Sequence, residues 1–186
     1  MRRAVLLVVF IVLFSGCATT IHMLKPEPPP TLVVKPESAL LVIIRDTSYG
    51  SPYVFLNYLD GKFIGETIGN TYFVTDVPQG EHYVVSSTEN FGVAHFDFQP
   101  GRRYYLRQRV IFGLGRARTS GFYPLSAKEA REAMGRCTYL ELDNSQAFPD
   151  MAPELYQQTI KDYQTGVKET PEAYKNLLEY KGELKK

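Results

Sequence analysis

SALLVIIR, residues 38–45, is an unbroken apolar run of strand length. Its continuity, with β-branched residues at its centre, predicts a central strand buried on both faces. On either side lie segments of the same kind. YVFLNYL (53–59) is followed by Asp60-Gly61-Lys62, and an Asp-Gly pair between apolar runs is a strong hairpin signal. Lys62–Ile68 is the expected return strand. Turn residues at Gly69-Asn70, Pro78-Gln79-Gly80, Glu89-Asn90 and Gln99-Pro100-Gly101 then separate TYFVTDV (71–77), HYVVSS (82–87), VAHFDF (93–98) and RYYLRQRVIF (103–112). These are about seven short strands with turns at regular spacing. They predict a mainly β fold, an antiparallel β-sandwich over residues 38–143. No strand–helix alternation appears before residue 125, so a parallel nucleotide-binding sheet is not expected.

Downstream, Ser126 with Glu129 three residues later is a capping-box signature and predicts a short helix over Ala127–Met134. Thr138–Leu142 (TYLEL) is the expected last strand. Residues 144–186 change texture and form a C-terminal helical extension. Helices are predicted over Pro153–Thr165 and Pro171–Leu184, each with Pro early in its first turn.

Upstream, residues 1–17 read MRRAVLLVVFIVLFSGC. Arg2 and Arg3 are followed by eleven apolar residues, Ala4–Phe14. That is too short for the roughly 20 residues of a membrane span and fits a secretory signal, residues 1–16. Leu13-Phe14-Ser15-Gly16-Cys17 resembles the lipobox of bacterial lipoproteins, with Phe14 where Leu is usual. In that class the Cys17 sulfur carries a diacylglycerol and the freed amine a further acyl chain, which gives stable anchoring. An Asp after the cysteine retains such proteins at the inner membrane. Ala18 stands there, which implies the periplasmic face of the outer membrane. Residues 17–37 contain Pro26, Pro28, Pro29, Pro30 and Pro36 and read as a semi-rigid tether that holds the domain off the membrane.

The order of the sequence signals also carries a resemblance. A lipobox and tether precede the apolar strand ending in Arg45. Leu59-Asp60-Gly61-Lys62, Gly65, Val77-Pro78-Gln79-Gly80-Glu81-His82 and Pro100-Gly101-Arg102-Arg103-Tyr104-Tyr105 follow. Over about residues 37–135 this resembles the bacterial lipoproteins grouped as domain of unknown function 2846. The resemblance implies a β-sandwich lipoprotein with no established activity.

Charge and chemistry limit the function classes. The chain has 21 Lys and Arg against 20 Asp and Glu; loss of residues 1–16 removes Arg2 and Arg3 and leaves a net charge of −1. Near-neutrality offers no electrostatic basis for nucleic acid as a partner. GxSxG, SxxK and GK[ST] patterns are absent. His22, His82 and His95 show no metal-ligand spacing, and no cofactor is expected. Cys137 reads as a small apolar residue. The basic residues cluster: Arg102, Arg103, Arg107 and Arg109 on one strand, then Arg116 and Arg118 in the glycine-rich segment 113–121. They are the candidate contacts for an anion or a partner.

Three functions are therefore open. The first is an anchored, non-catalytic binding or structural module that touches membrane lipid through Cys17 and an envelope protein through its domain. A second is a lipoprotein binding an anionic lipid or glycan through the arginine loop. The third, an envelope hydrolase using His82 or His95, has least support.

Overall fold

The structure, a computed structural model, describes residues 20, 22–29, 31–112 and 117–184. The lipobox with Cys17, and Arg116, lie outside the described residues. The described chain is mainly β, with two sheets, and the expected β-sandwich with short helices is borne out. The strands are β1 (Met23–Leu24), β2 (Ser38–Arg45), β3 (Phe55–Leu59), β4 (Lys62–Thr67), β5 (Thr71–Pro78), β6 (Gly80–Ser87), β7 (Phe91–Phe98), β8 (Arg102–Phe112), β9 (Ala117–Pro124), β10 (Thr138–Leu142) and β11 (Glu183–Leu184). The helices are α1 (Ala127–Met134), α2 (Pro153–Glu169) and α3 (Pro171–Glu179). None of them is long and apolar enough to cross a membrane.

One sheet has the order β1-β10-β5-β2-β8, with β9 and β11 both on β8; the other has the order β4-β3-β6-β7. As its continuous apolar run predicts, β2 is central and every one of its residues is buried. The chain leaves the large sheet as a hairpin in the small one (β3-β4), returns as β5, repeats the excursion (β6-β7) and returns as β8. Each return reverses direction. Therefore β5 is antiparallel to β2, and β8, arriving on β2's other side, is parallel to it. After β9, α1 crosses the outer face of the large sheet and delivers β10 parallel to β5. Two parallel pairs thus sit inside a sandwich whose other pairs are antiparallel. The hairpin at Asp60-Gly61 has positive φ at both residues, 49° and 83°, the twist a two-residue β-turn needs.

Three apolar layers result. Between the sheets, Leu41, Ile43, Phe73, Tyr104 and Leu106 face Val84, Phe96 and Phe98. On the large sheet's outer face, Val42, Ile44, Tyr72 and Tyr105 are covered by Leu125, Ala130 and Ala133 of the α1 region and by Val34. On the small sheet's outer face, Tyr58, Phe63, Val85 and Val93 are covered by Met151, Ile160 and Tyr163. The order through the molecule is helix, sheet, sheet, helices.

The N-terminal segment differs from expectation in its place and the C-terminal one in its element bounds. The segment expected to stand off as a tether is docked from His22 onward. Met23 and Leu24 pair with Leu142 and Glu141, the Asp143 N–H donates to the His22 carbonyl at 2.9 Å, and Val34 is buried. No proline interrupts His22–Lys25, so this stretch can pair, and Pro26, which lacks an N–H, ends the pairing. The C-terminal extension packs on the sandwich. Leu177 enters the inter-sheet core, and the Tyr180 hydroxyl accepts from the Tyr105 N–H and donates to the Leu125 carbonyl, both at 3.1 Å. Helix α2 runs four residues longer than predicted. The segment expected to carry the second helix to residue 184 stops at Glu179 and adds β11 instead.

Candidate functional site

The arginines expected to form one patch separate into two groups. Alternation along β8 places Arg103 and Arg107 on the sheet's outer face. There Arg103 Nη2 donates to the Leu32 carbonyl at 3.0 Å. Arg107 Nη2 donates to Asp46 Oδ2 at 3.0 Å, with Nε 2.9 Å from Oδ1, and Arg136 reaches the same carboxylate at 3.0 Å. Arg102 donates to the Lys181 and Gly182 carbonyls at 3.1 and 3.4 Å. These three fasten the 31–35 segment, the 46–54 loop and the tail. Arg109 and Arg118 are exposed and have no hydrogen-bond or ion-pair partner among the described residues. They stand at the far end of β8 and the near end of β9. Residues 117–124, expected in part as a mobile loop, form β9, because Thr119, Phe122 and Ala117 turn inward and β8 extends far enough to pair with them. Alternation continues the inward series Tyr104, Leu106 to Gln108 and leaves Arg109 outward, where the β8–β9 register shifts between Gln108 and Val110.

Beside Arg109 is an open cleft of about 480 Å³ between the ends of β7 and β9 and helices α2 and α3. Asn90, Phe91, Arg109 and Ser120 line one side, and Thr159, Asp162, Tyr163 and Tyr174 the other. Its floor is set by a close approach of the two sheets at Gly92 and Gly121. A Cβ on Gly92 would stand 2.6 Å from Gly121 Cα, so any larger residue forces the two backbones apart. Asn90 holds the same place together. Its side chain accepts from the Thr119 N–H at 2.9 Å and donates to the Thr119 carbonyl at 2.7 Å, which caps the outer edge of β9. Burial pushes the Tyr163 phenol up to about 12.

A second groove, about 690 Å³, lies between residues 25–29 and the β10 edge, with Tyr72, Met134 and Cys137 in its wall. Burial pushes the Cys137 thiol up to about 11, which keeps it protonated and a poor nucleophile at neutral pH.

Among curated proteins, an uncharacterized protein of Haemophilus influenzae is 31% identical to this chain over 107 residues, which are 55% of the chain. The match spans 63% of that protein's length, less than two thirds. No family model matches the chain. No solved structure matches it either.

The histidines are held apart. In the register of β6 and β7, His82 stands opposite Phe96, which faces the inter-sheet core, and Tyr83 stands opposite His95 on the other face. His82 Nδ1 lies 2.5 Å from Asp60 Oδ2, while His95 stacks on Tyr83 at 4.3 Å. The two imidazoles therefore cannot act together. His22, expected in the free tether, lies 2.5 Å from Glu66, a carboxylate buried to 1% exposure, and its ring is edge-on to Phe63 and Phe148. Among the described residues no three His, Cys, Asp or Glu side chains come together as metal ligands.

Sequence reasoning missed two buried polar clusters. Arg45 is fully buried and donates to the Tyr53, Gly50, Thr67 and Tyr49 carbonyls at 2.6, 2.5, 3.3 and 3.4 Å, with its guanidinium 4.2 Å from the Phe55 ring centroid. Burial lowers its pKa to about 10. Nearby, Gln108 Nε2 donates to Asn57 Oδ1 at 2.7 Å and Ser86 Oγ at 2.8 Å, and its Oε1 accepts from Thr67. The one visible signal was a charged residue closing an otherwise apolar strand. The cleft was not legible either, since its walls come from segments about 40 to 80 residues apart.

Proposed function

We propose that this protein is an acylated lipoprotein of the bacterial envelope, anchored at Cys17, whose sandwich serves as a non-catalytic binding module. The lipobox-like Leu13–Cys17 behind a short apolar segment carries the anchoring part. The ordered turn motifs between Leu59 and Tyr105 support grouping it with the domain of unknown function 2846 lipoproteins. Ala18 supports the periplasmic face of the outer membrane as its place. The cleft of about 480 Å³ beside Arg109 carries the binding part, since ligand sites are concave and combine a few directed polar groups with aromatic walls. The site offers recognition groups and no nucleophile–base pair. His82 and His95 point to opposite faces, which removes support from a hydrolase using them jointly.

The test is Cys17→Ser. The variant is expected to move from the membrane to the soluble fraction while keeping the melting temperature of the parent chain. If Cys17→Ser stays in the membrane fraction after carbonate washing, the anchoring reading is wrong.

A further inference from the structure

His22, where the docked N-terminal segment begins, and the arginines without a partner among the described residues stand at opposite corners of the large sheet. His22 precedes β1 at one edge, level with Arg103 through the register of β10, β5, β2 and β8. Arg118 pairs with Ile111 of β8 and lies on β9, five strand positions from β1. Eight residues along the strands and five strand spacings across put the two corners roughly 35 Å apart. Cys17 is five residues from His22, a reach of at most about 18 Å. Because residues from His22 onward are docked, that short link sets where the domain is held. The corner carrying Arg109 and Arg118 is thus diagonal to the point, His22, from which that link departs.

This corner is also where the cleft opens. Arg109 is in its wall, and Phe91, 37% exposed, stands at its mouth. We infer that the cleft, with Arg109 in its wall and Arg118 exposed on the adjoining strand β9, binds a carboxylate-bearing glycan strand away from the anchoring bilayer. The inference rests on the reading of the chain as an anchored binding module. Sugar rings present C–H faces to aromatic rings, which Phe91 and Tyr174 supply, and hydroxyl donors to acceptors, which Asp162 and Ser120 supply. A guanidinium without a partner among the described residues can form strong forked bonds to a carboxylate. At about 480 Å³ the cleft has room for a short saccharide. Asp162, the carboxylate that shares the cleft, accepts from Gln158 Nε2 at 2.7 Å and forms no ion pair with Arg109.

The test is calorimetric titration of the full chain, in neutral detergent, with oligogalacturonate, an uncharged maltooligosaccharide and phosphatidylglycerol vesicles. Saturable binding of oligogalacturonate is expected. It should weaken at least about tenfold in the Arg109→Glu/Arg118→Glu double variant, the cost of losing charge-assisted contacts. It should weaken similarly in Ala173→Trp, where an exposed helix position fills the cleft. Lys62→Glu, at the anchored end, should bind as the parent does. The inference is overturned by no binding, by binding of vesicles alone, by equal binding of the uncharged glycan, or by equal loss in Lys62→Glu. Acylation of Cys17, read from the mass of the same preparation, reports on the anchoring separately.

Discussion

A buried guanidinium with no carboxylate beside it must find acceptors on the backbone, and Arg45 finds four of them. It closes the 46–54 loop over the end of the sandwich. Arg45→Met keeps the apolar stem and leaves those carbonyls without a donor. A loss of about 3 kcal/mol or more in urea unfolding is expected, since each unsatisfied buried group costs about 1–3 kcal/mol. A loss under about 1 kcal/mol would show that water replaces the guanidinium. Gly92 is the other residue on which the local geometry turns. Gly92→Ala puts a methyl against backbone at Gly121, and overpacking of that kind costs about 1–3 kcal/mol. Faster amide exchange at Thr119 should accompany it, and an unchanged rate would separate Gly92 from the closure. The titratable residues set an alkaline limit. Burial raises Cys137 to about 11 and Tyr139, Tyr156 and Tyr163 to about 12. Unfolded, a thiol loses its proton near about 8.5 and a phenol near about 10. A folded pKa above the unfolded one means stability that is complete below the unfolded value and lost as pH rises through the folded one. The melting temperature should therefore hold to about pH 8.5 and fall steeply between about 10 and 12; a flat profile across that window would contradict this burial. At this scale the sequence was legible where a residue type has one purpose. Asp60-Gly61 is the required turn, and Ser126 with Glu129 makes the capping box, with the Glu129 N–H donating to Ser126 Oγ at 3.3 Å and the Ser126 N–H to Glu129 Oε2 at 2.9 Å. It was illegible where a side chain's partner is distant, as for Arg102, Arg103 and Arg107, which read as a patch and act as fasteners.

Strand β1 is only two residues long, yet it fixes where the N-terminal segment leaves the domain. What holds it is the contact of His22 with Glu66 as much as the pairing. The His22 N–H also faces Glu66 Oε2 at 3.4 Å, and the Glu66 N–H meets Met23 Sδ at 3.3 Å. Glu66→Leu should release this segment. The expected readout is amide exchange at Asp143, bonded to the His22 carbonyl, faster by at least about tenfold with the sandwich core unaffected. Unchanged protection at Asp143 would mean that the strand pairing alone suffices. The long elements, β2 to β8 and α1, could be read from period and turn chemistry because each carries its own pattern. Strands β1, β9 and β11 could not. Met23–Leu24 and Glu183–Leu184 are too short for a pattern. Residues 117–124 contain Gly121, Pro124 and Arg118, and become a strand because β8 offers an edge.

At the scale of the molecule, each sheet needs a cover on its outer face, and the chain supplies it from segments that read as appendages. Helices α2 and α3 cover Phe63, Val85 and Val93, and Leu177 reaches the main core. Leu177→Ala should cost about 2–5 kcal/mol, the range for a buried large-to-alanine change. A cost under about 1 kcal/mol would mean the helical layer is a loose addition. The four-layer arrangement also orients the molecule. The N-terminal link leaves one corner, and the cleft with Arg109 and Arg118 opens at the diagonal one. Both the anchoring and the orientation depend on Cys17 being the attachment point, and intact-mass spectrometry of the protein extracted from membranes tests this most directly. Anchoring at Cys17 predicts a chain that starts at Cys17 and carries a diacylglycerol and a further acyl chain on that residue. A chain that retains residues 1–16, or that starts elsewhere with an unmodified cysteine, would contradict it.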